Sequence, residues 1–133
     1  MRTILLYITV LCAGSAFAQD DKAARGKYLV EEVAKCQDCH TPKMQDGSFI
    51  KSQWMKGSTL DFTPVSPVPG WRSKTPDVTP NGALWKRWGE DGLMKFLQTG
   101  KGPRDNKPGA PMPAYLLKRD DAEAVVAFLK TIQ

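Results

Sequence analysis

Three stretches of the chain repeat apolar residues at helical spacing, and between them the pattern is lost. In the first, about residues 21–35, Ala24, Tyr28, Leu29 and Val33 are spaced to share one face. The second follows Trp88 and Gly89. Glu90 and Asp91 suit the positive end of a helix, Leu93, Phe96 and Leu97 form an apolar stripe, and Gly100 is placed to end it. The third is the clearest: Asp120 or Asp121 can cap it, and Ala124, Val125, Phe128, Leu129 and Ile132 follow at helical intervals. No segment alternates convincingly as a strand.

Residues 41–85 fit no period. Six prolines fall in this stretch (Pro42, Pro64, Pro67, Pro69, Pro76 and Pro80), with several glycines among them. A structureless loop of this length is unusual inside a compact domain. It becomes reasonable if the loop wraps something large and apolar that is not protein, which Trp54, Phe62, Trp71 and Trp85 would cover.

The N-terminus reads differently. Arg2 precedes an apolar run over residues 4–17, and Ala16 and Ala18 flank Phe17 ahead of a polar segment. A positive start, a short apolar core and small residues at these two positions describe a secretory signal peptide cleaved after Ala18. The run is short for a bilayer span, which needs about 20 apolar residues; an uncleaved anchor is the competing reading. The expected products are a signal peptide, 1–18, and one domain, 19–133, exported to the periplasm with no membrane span in the mature chain. The formal charge of the full chain is +5. Its basic residues are scattered rather than interleaved with aromatics, which argues against nucleic acid and suits an acidic protein partner.

The chemistry concentrates in Cys36-Gln37-Asp38-Cys39-His40, which contains the chain's only histidine. A closed zinc site needs four protein ligands, and residues 19–133 hold no further Cys or His. A thioredoxin-like pair belongs in an alternating β/α context that this chain lacks. A plain Cys36–Cys39 disulfide leaves His40 unexplained. The remaining reading is covalent haem, for which Cys-x-x-Cys-His is the attachment motif. Each thiol adds to one vinyl group, and His40 falls beneath the iron as its proximal ligand.

For the opposite axial position there is no second histidine, and methionine is the next usual partner. Met44 follows His40 too closely, Met94 sits beside an apolar stripe as a packing residue, and Met55 lies in the long loop with nothing nearby to stiffen it. Met112, in Gly-Ala-Pro-Met-Pro-Ala-Tyr, lies between Pro111 and Pro113. The prolines fix their own φ and bias the residue before each towards an extended shape, so this loop can aim a thioether at little ordering cost. Met112 is therefore the expected distal ligand.

Taken in order, "RGKYLVEEVAKCQDCHTP", "TPDVTP", "LWKRWGEDGLMKFLQTGKGP", "MPAY" and "DDAEAVVAFLKTI" resemble a monohaem class I c-type cytochrome. They are most similar to the haem domains of cytochrome subunits in bacterial periplasmic dehydrogenases, over most of residues 23–132. The resemblance implies a small all-α class I cytochrome c fold around one haem c and its iron. Its first and last helices would cross at Gly26 and Phe128. Cys36 and Cys39 would be the attachments, His40 and Met112 the axial ligands. Trp54, Trp71, Arg72, Lys74 and Trp85 are candidates to line the haem or bond its propionates. Those dehydrogenase subunits commonly carry several haem domains and a membrane tail. One motif in a chain ending at Gln133 fits a free-standing or loosely docked carrier better.

The expected function is electron transfer rather than catalysis, with one haem cycling between Fe(III) and Fe(II). No spare histidine stands by as a general acid or base, and no residue is assigned a catalytic role. Redox proteins would be donor and acceptor, among them a periplasmic dehydrogenase or a terminal oxidase. Two alternatives stand beside it: a peroxidase-like enzyme or gas sensor with an open distal site, and a haem subunit of a larger periplasmic oxidoreductase.

Overall fold

The computed structural model describes residues 14–133. Residues 1–13 of the expected signal peptide lie outside the described residues. The chain runs through α1 (Gly14–Tyr28), a π-helical turn (Leu29–Val33), α2 (Cys36–His40), a 3-10 turn (Lys51–Gln53), α3 (Ala83–Thr99) and α4 (Arg119–Leu129). Among the described residues there is no sheet, only two isolated antiparallel bridges, Lys43 with Phe49 and Thr59 with Lys74. The all-α expectation holds.

The frame is the crossing of α1 and α4. Gly26 makes it possible: a Cβ there would collide with the Ala124 carbonyl oxygen and lie 2.8 Å from Phe128 Cβ. Around the crossing Leu29, Val30, Ala124, Val125, Phe128 and Leu129 form the core together with Met55. The α4 stripe therefore points inward as its spacing predicts. The α1 face does not: Ala24, Tyr28 and Val33 are exposed, and the buried positions are Gly26, Leu29 and Val30. The glycine contact sets the helix phase, and the π turn then shifts it, because the Ala34 N–H bonds the Leu29 carbonyl five residues back, at 2.8 Å. Replacing Gly26 with alanine is expected to lower stability by about 1–3 kcal/mol, as overpacking of a tight core contact does. Urea unfolding of the holoprotein checks this.

α3 is two helical pieces, 83–88 and 90–99, joined at Gly89 with φ 65° and ψ −176°. That backbone is essentially glycine-only, so the glycine turns the chain between them, and Glu90 starts the expected second helix. Gly100 ends it in the left-handed region (φ 68°), its N–H bonded to the Phe96 carbonyl at 2.8 Å. Asp120 and Asp121 do not cap α4 through their side chains. Lys118 is the capping position and both acids fall in the first turn, where they favour the helix dipole. Asp121 instead bonds Arg25 at 3.0 Å, linking α4 to α1.

The long loop is more ordered than its composition suggests. One bridge closes a short turn over residues 43–49 and the other a longer excursion over 59–74, and the loop's aromatics pair edge to face: Phe49 with Trp54 at 5.4 Å and Phe62 with Trp71 at 5.7 Å. Trp54 and Trp85 pack on the main core, whereas Phe62 stays exposed. Part of the apolar surface assigned to wrapping a cofactor is thus used within the protein.

Candidate haem-attachment site

α2 is one short turn that begins after a left-handed residue, Lys35, at φ 51° and ψ 40°. This reversal lets the chain leave the π turn and re-enter a helix within two residues. Cys36 and Cys39, three positions apart, then lie on neighbouring turns of one face. Both thiols are free and partly buried. Burial, the first cause, pushes the Cys36 thiol up to about 11, and raises that of Cys39 too, with Asp38 adding to it. Both are therefore protonated thiols at neutral pH, slow to oxidise.

His40 is buried, at 6% exposure, and its Nδ1 lies 2.9 Å from the Pro76 carbonyl oxygen. A carbonyl can only accept, so Nδ1 carries the proton and donates it. The Nε2 lone pair is left free for a metal. Burial lowers the pKa of His40 and the Pro76 bond only partly opposes it, so the ring is neutral, as ligation requires.

The Pro76 carbonyl is positioned by its neighbours. The Thr75 hydroxyl donates to the Cys39 carbonyl at 2.8 Å, the Val78 N–H bonds the Met55 carbonyl at 3.1 Å, and the Gly57 N–H bonds the His40 carbonyl at 2.9 Å. Asp77 accepts from both the amide and the hydroxyl of the buried Thr79 at 2.7 Å, which closes the turn leading towards α3. The segment Thr75-Pro76-Asp77-Val78-Thr79 is thus the cradle of the histidine. Sequence reasoning did not assign it this role, because its key group is a backbone carbonyl that any residue type could supply.

Two side chains close the carbonyl end of the first helix, where orphan acceptors remain. Gln37 Nε2 donates to the Glu31 carbonyl at 2.7 Å. Gln37 Oε1 is buried with no partner among the described residues, an unfavourable by-product of that cap. The Tyr115 hydroxyl donates to the Ala34 carbonyl at 3.0 Å, across 81 positions of sequence.

The methionines separate clearly. Met44 is more than half exposed in the turn closed by its own N–H to the Ser48 carbonyl. Met94 lines a groove between α3 and α4. Met55 departs from expectation: it is 1% exposed in the core, and its N–H is held by the Thr41 hydroxyl at 2.9 Å. It is a stiffly held packing residue. Met112 is half-buried in a loop held by the rest of the fold on both sides. The Arg72 N–H bonds the Ala110 carbonyl at 2.7 Å, and the Leu117 N–H bonds the Leu97 carbonyl at 2.8 Å. Of the residues considered for propionates, Arg72 and Lys74 are exposed and make no ion pair among the described residues.

Two protonated thiols on one helical face and a neutral imidazole with a free Nε2 form a donor set that fits covalently attached haem. Fold and site together define a small all-α haem protein. A family model described as cytochrome c matches residues 23–133, and the chain belongs to that family. It is 30% identical over 113 residues to a protein of Cereibacter sphaeroides named diheme cytochrome c-type, covering 81% of this chain and 34% of that one. It is 29% identical to the gluconate 2-dehydrogenase cytochrome c subunit of Pantoea cypripedii, covering 88% of this chain and 27% of that subunit. It is also 29% identical to the cytochrome c subunit of the quinone-dependent alcohol dehydrogenase of Gluconobacter oxydans, covering 85% and 24%. The chain thus spans about a third or less of these relatives. As a cytochrome c it carries haem c with its iron and takes part in haem-based electron transfer. No helix of the described residues is long and apolar enough to cross a membrane.

Proposed function

We propose that this chain is a periplasmic electron carrier holding a single haem c, attached through Cys36 and Cys39 and ligated by His40 and Met112. When bound, the haem supplies a one-electron couple between Fe(III) and Fe(II). The protein's own residues keep its surroundings the same in both states. The observation that carries this reading is the His40–Pro76 bond, which fixes the tautomer and ring orientation of the proposed proximal ligand. The anchored Met112 loop supports a distal side closed by protein rather than open to substrate.

The 1–18 leader and 19–133 domain fit this picture. Among the α1 residues whose side chains are described, the first buried one is Gly26 and the first in an ion pair is Lys22, with Glu123 at 2.7 Å. Cleavage after Ala18 would therefore leave these contacts intact. Redox proteins are the proposed partners, with a periplasmic dehydrogenase favoured by the names of the relatives and a terminal oxidase as the other acceptor class. Those names also favour a second reading, in which the chain is the haem subunit of a larger dehydrogenase.

The test is an absorption spectrum of protein exported by a host able to attach haem c, recorded oxidised, reduced, and reduced under carbon monoxide. A low-spin spectrum in both states, unchanged by carbon monoxide, is expected of two strong protein ligands. A high-spin or carbon-monoxide-sensitive spectrum would sink the carrier reading in favour of a peroxidase-like enzyme or gas sensor. Copurification of the exported chain with a dehydrogenase would favour the subunit reading.

A further inference from the structure

We propose that Tyr115 is a positioning residue: its hydroxyl straps the Met112 loop to the segment carrying the attachment cysteines and so sets how firmly Met112 holds the distal side. This rests on the reading of Met112 as distal ligand.

The two backbone bonds that anchor the loop, at Ala110 and Leu117, run to Arg72 and to Leu97 in α3. Neither reaches the attachment segment. The Tyr115 hydroxyl does, ending on the Ala34 carbonyl two residues before Cys36. It is therefore a side-chain tie between the expected distal ligand, three residues upstream of Tyr115, and the attachment turn.

Backbone strain flanks this bond on both sides. Leu116, next to Tyr115, has φ 51°, and Lys35, next to Ala34, also has φ 51°. Non-glycine residues rarely adopt this left-handed conformation, and it persists where surrounding contacts over-determine it. At Leu116 those contacts are the Tyr115 hydroxyl on one side and the Leu117 N–H on the other, because the leucine side chain itself is 64% exposed. Exposure of Leu116 rules out its own burial as the reason for the twist. The loop is bent so that Tyr115 can reach Ala34.

The phenol is suited to the task. Burial, the main cause, pushes its pKa up to about 12. It therefore remains a donor at neutral pH, and its acceptor two residues before Cys36 places it beside the attachment turn.

The test is Tyr115→Phe, which removes one oxygen, in the exported holoprotein. Imidazole is titrated against the ferric form, following the far-red band that reports a thioether on iron. Losing one hydrogen bond should raise apparent imidazole affinity roughly fivefold. A fall in the urea midpoint with imidazole affinity unchanged would make Tyr115 merely structural and overturn the proposal. Met112→Ala is run alongside. If that variant keeps the far-red band, the ligand reading fails. If it loses the band while Tyr115→Phe titrates like the wild type, only the strap is wrong.

Discussion

Replacing His40 with alanine is expected to abolish the stable holoprotein, the largest effect of any single substitution in the chain. His40 is the only histidine, so no other imidazole can take its place. Its loss acts on two links at once. The proposed Nε2 donor to iron disappears, and so does the bond that ties α2 to the Pro76 carbonyl 36 positions away. The ring is buried, so truncation also leaves a cavity that the surrounding backbone, pinned through Thr75 and Gly57, cannot readily fill. Haem staining of the exported protein and a pyridine haemochrome assay measure the outcome. Haem retained with an unchanged low-spin spectrum would remove His40 from the ligand set. Thr75→Val offers a graded comparison. It deletes the hydroxyl bonded to the Cys39 carbonyl while sparing the imidazole, so haem should stay attached with a less stable fold.

Much of this was legible in the sequence, for identifiable reasons. α4 carries a strong helical period with no competing signal, and its inward face came out as expected. The α1–α4 crossing at Gly26 was implied by the family resemblance, and the structure agrees because so close a helix approach requires a residue without Cβ. The phase of α1 could not, since a π turn is a hydrogen-bond shift that leaves no mark in residue type. The piece of α3 before Gly89, residues 83–88, went unread at the end of the aperiodic stretch, because the glycine turn separates it from the apolar stripe that follows. Cys-x-x-Cys-His declared itself through side chains. The cradle beneath it works through the backbone carbonyl of Pro76, and the tie of Tyr115 through that of Ala34; neither acceptor has a residue code. Tyr115 was within reach as a tyrosine at the end of a proline-rich loop, but its acceptor lies 81 positions away. Met55 was misjudged as loosely held because its supports, the Thr41 hydroxyl and the Val78 amide, become neighbours only in the fold.

Ion pairing is unevenly distributed over the described residues. Lys22, Arg25, Lys27, Lys35, Arg119 and Lys130 are paired with carboxylates on the helical side. Lys56, Arg72, Lys74, Arg104 and Lys107 lie in loops and make no ion pair among the described residues, nor do Lys86 and Arg87 of α3, whereas Lys43 of the long loop pairs with Asp61 at 3.6 Å. Pairing cancels the field of the first group at a distance. The second group is therefore what an approaching acidic partner meets, and exposed charges of this kind act mainly on the rate of encounter. Raised ionic strength should slow electron exchange with an acidic partner for the same reason.

Met112→Ala should have the opposite character to loss of His40: the haem remains attached, and the distal side opens. Attachment depends on Cys36, Cys39 and the cradle of His40, none of which contacts Met112 in the hydrogen-bond network. The loop should survive too, because its anchors at Ala110, Tyr115 and Leu117 do not use the Met112 side chain. On the proposed ligation, what goes is a soft thioether ligand. A His/Met pair raises the reduction potential, so a redox titration of the variant should give a lower one. The reduced protein should now bind carbon monoxide, and its far-red ferric band should vanish. Met55→Leu is the matched control: the side chain is buried in the core at 1% exposure, and a Leu-for-Met swap there costs less than about 1.5 kcal/mol. The band and the potential should be kept. If the two variants exchanged these phenotypes, Met55 would be the iron ligand, and the loop held by Arg72, Tyr115 and Leu97 would serve only as a cover for the haem.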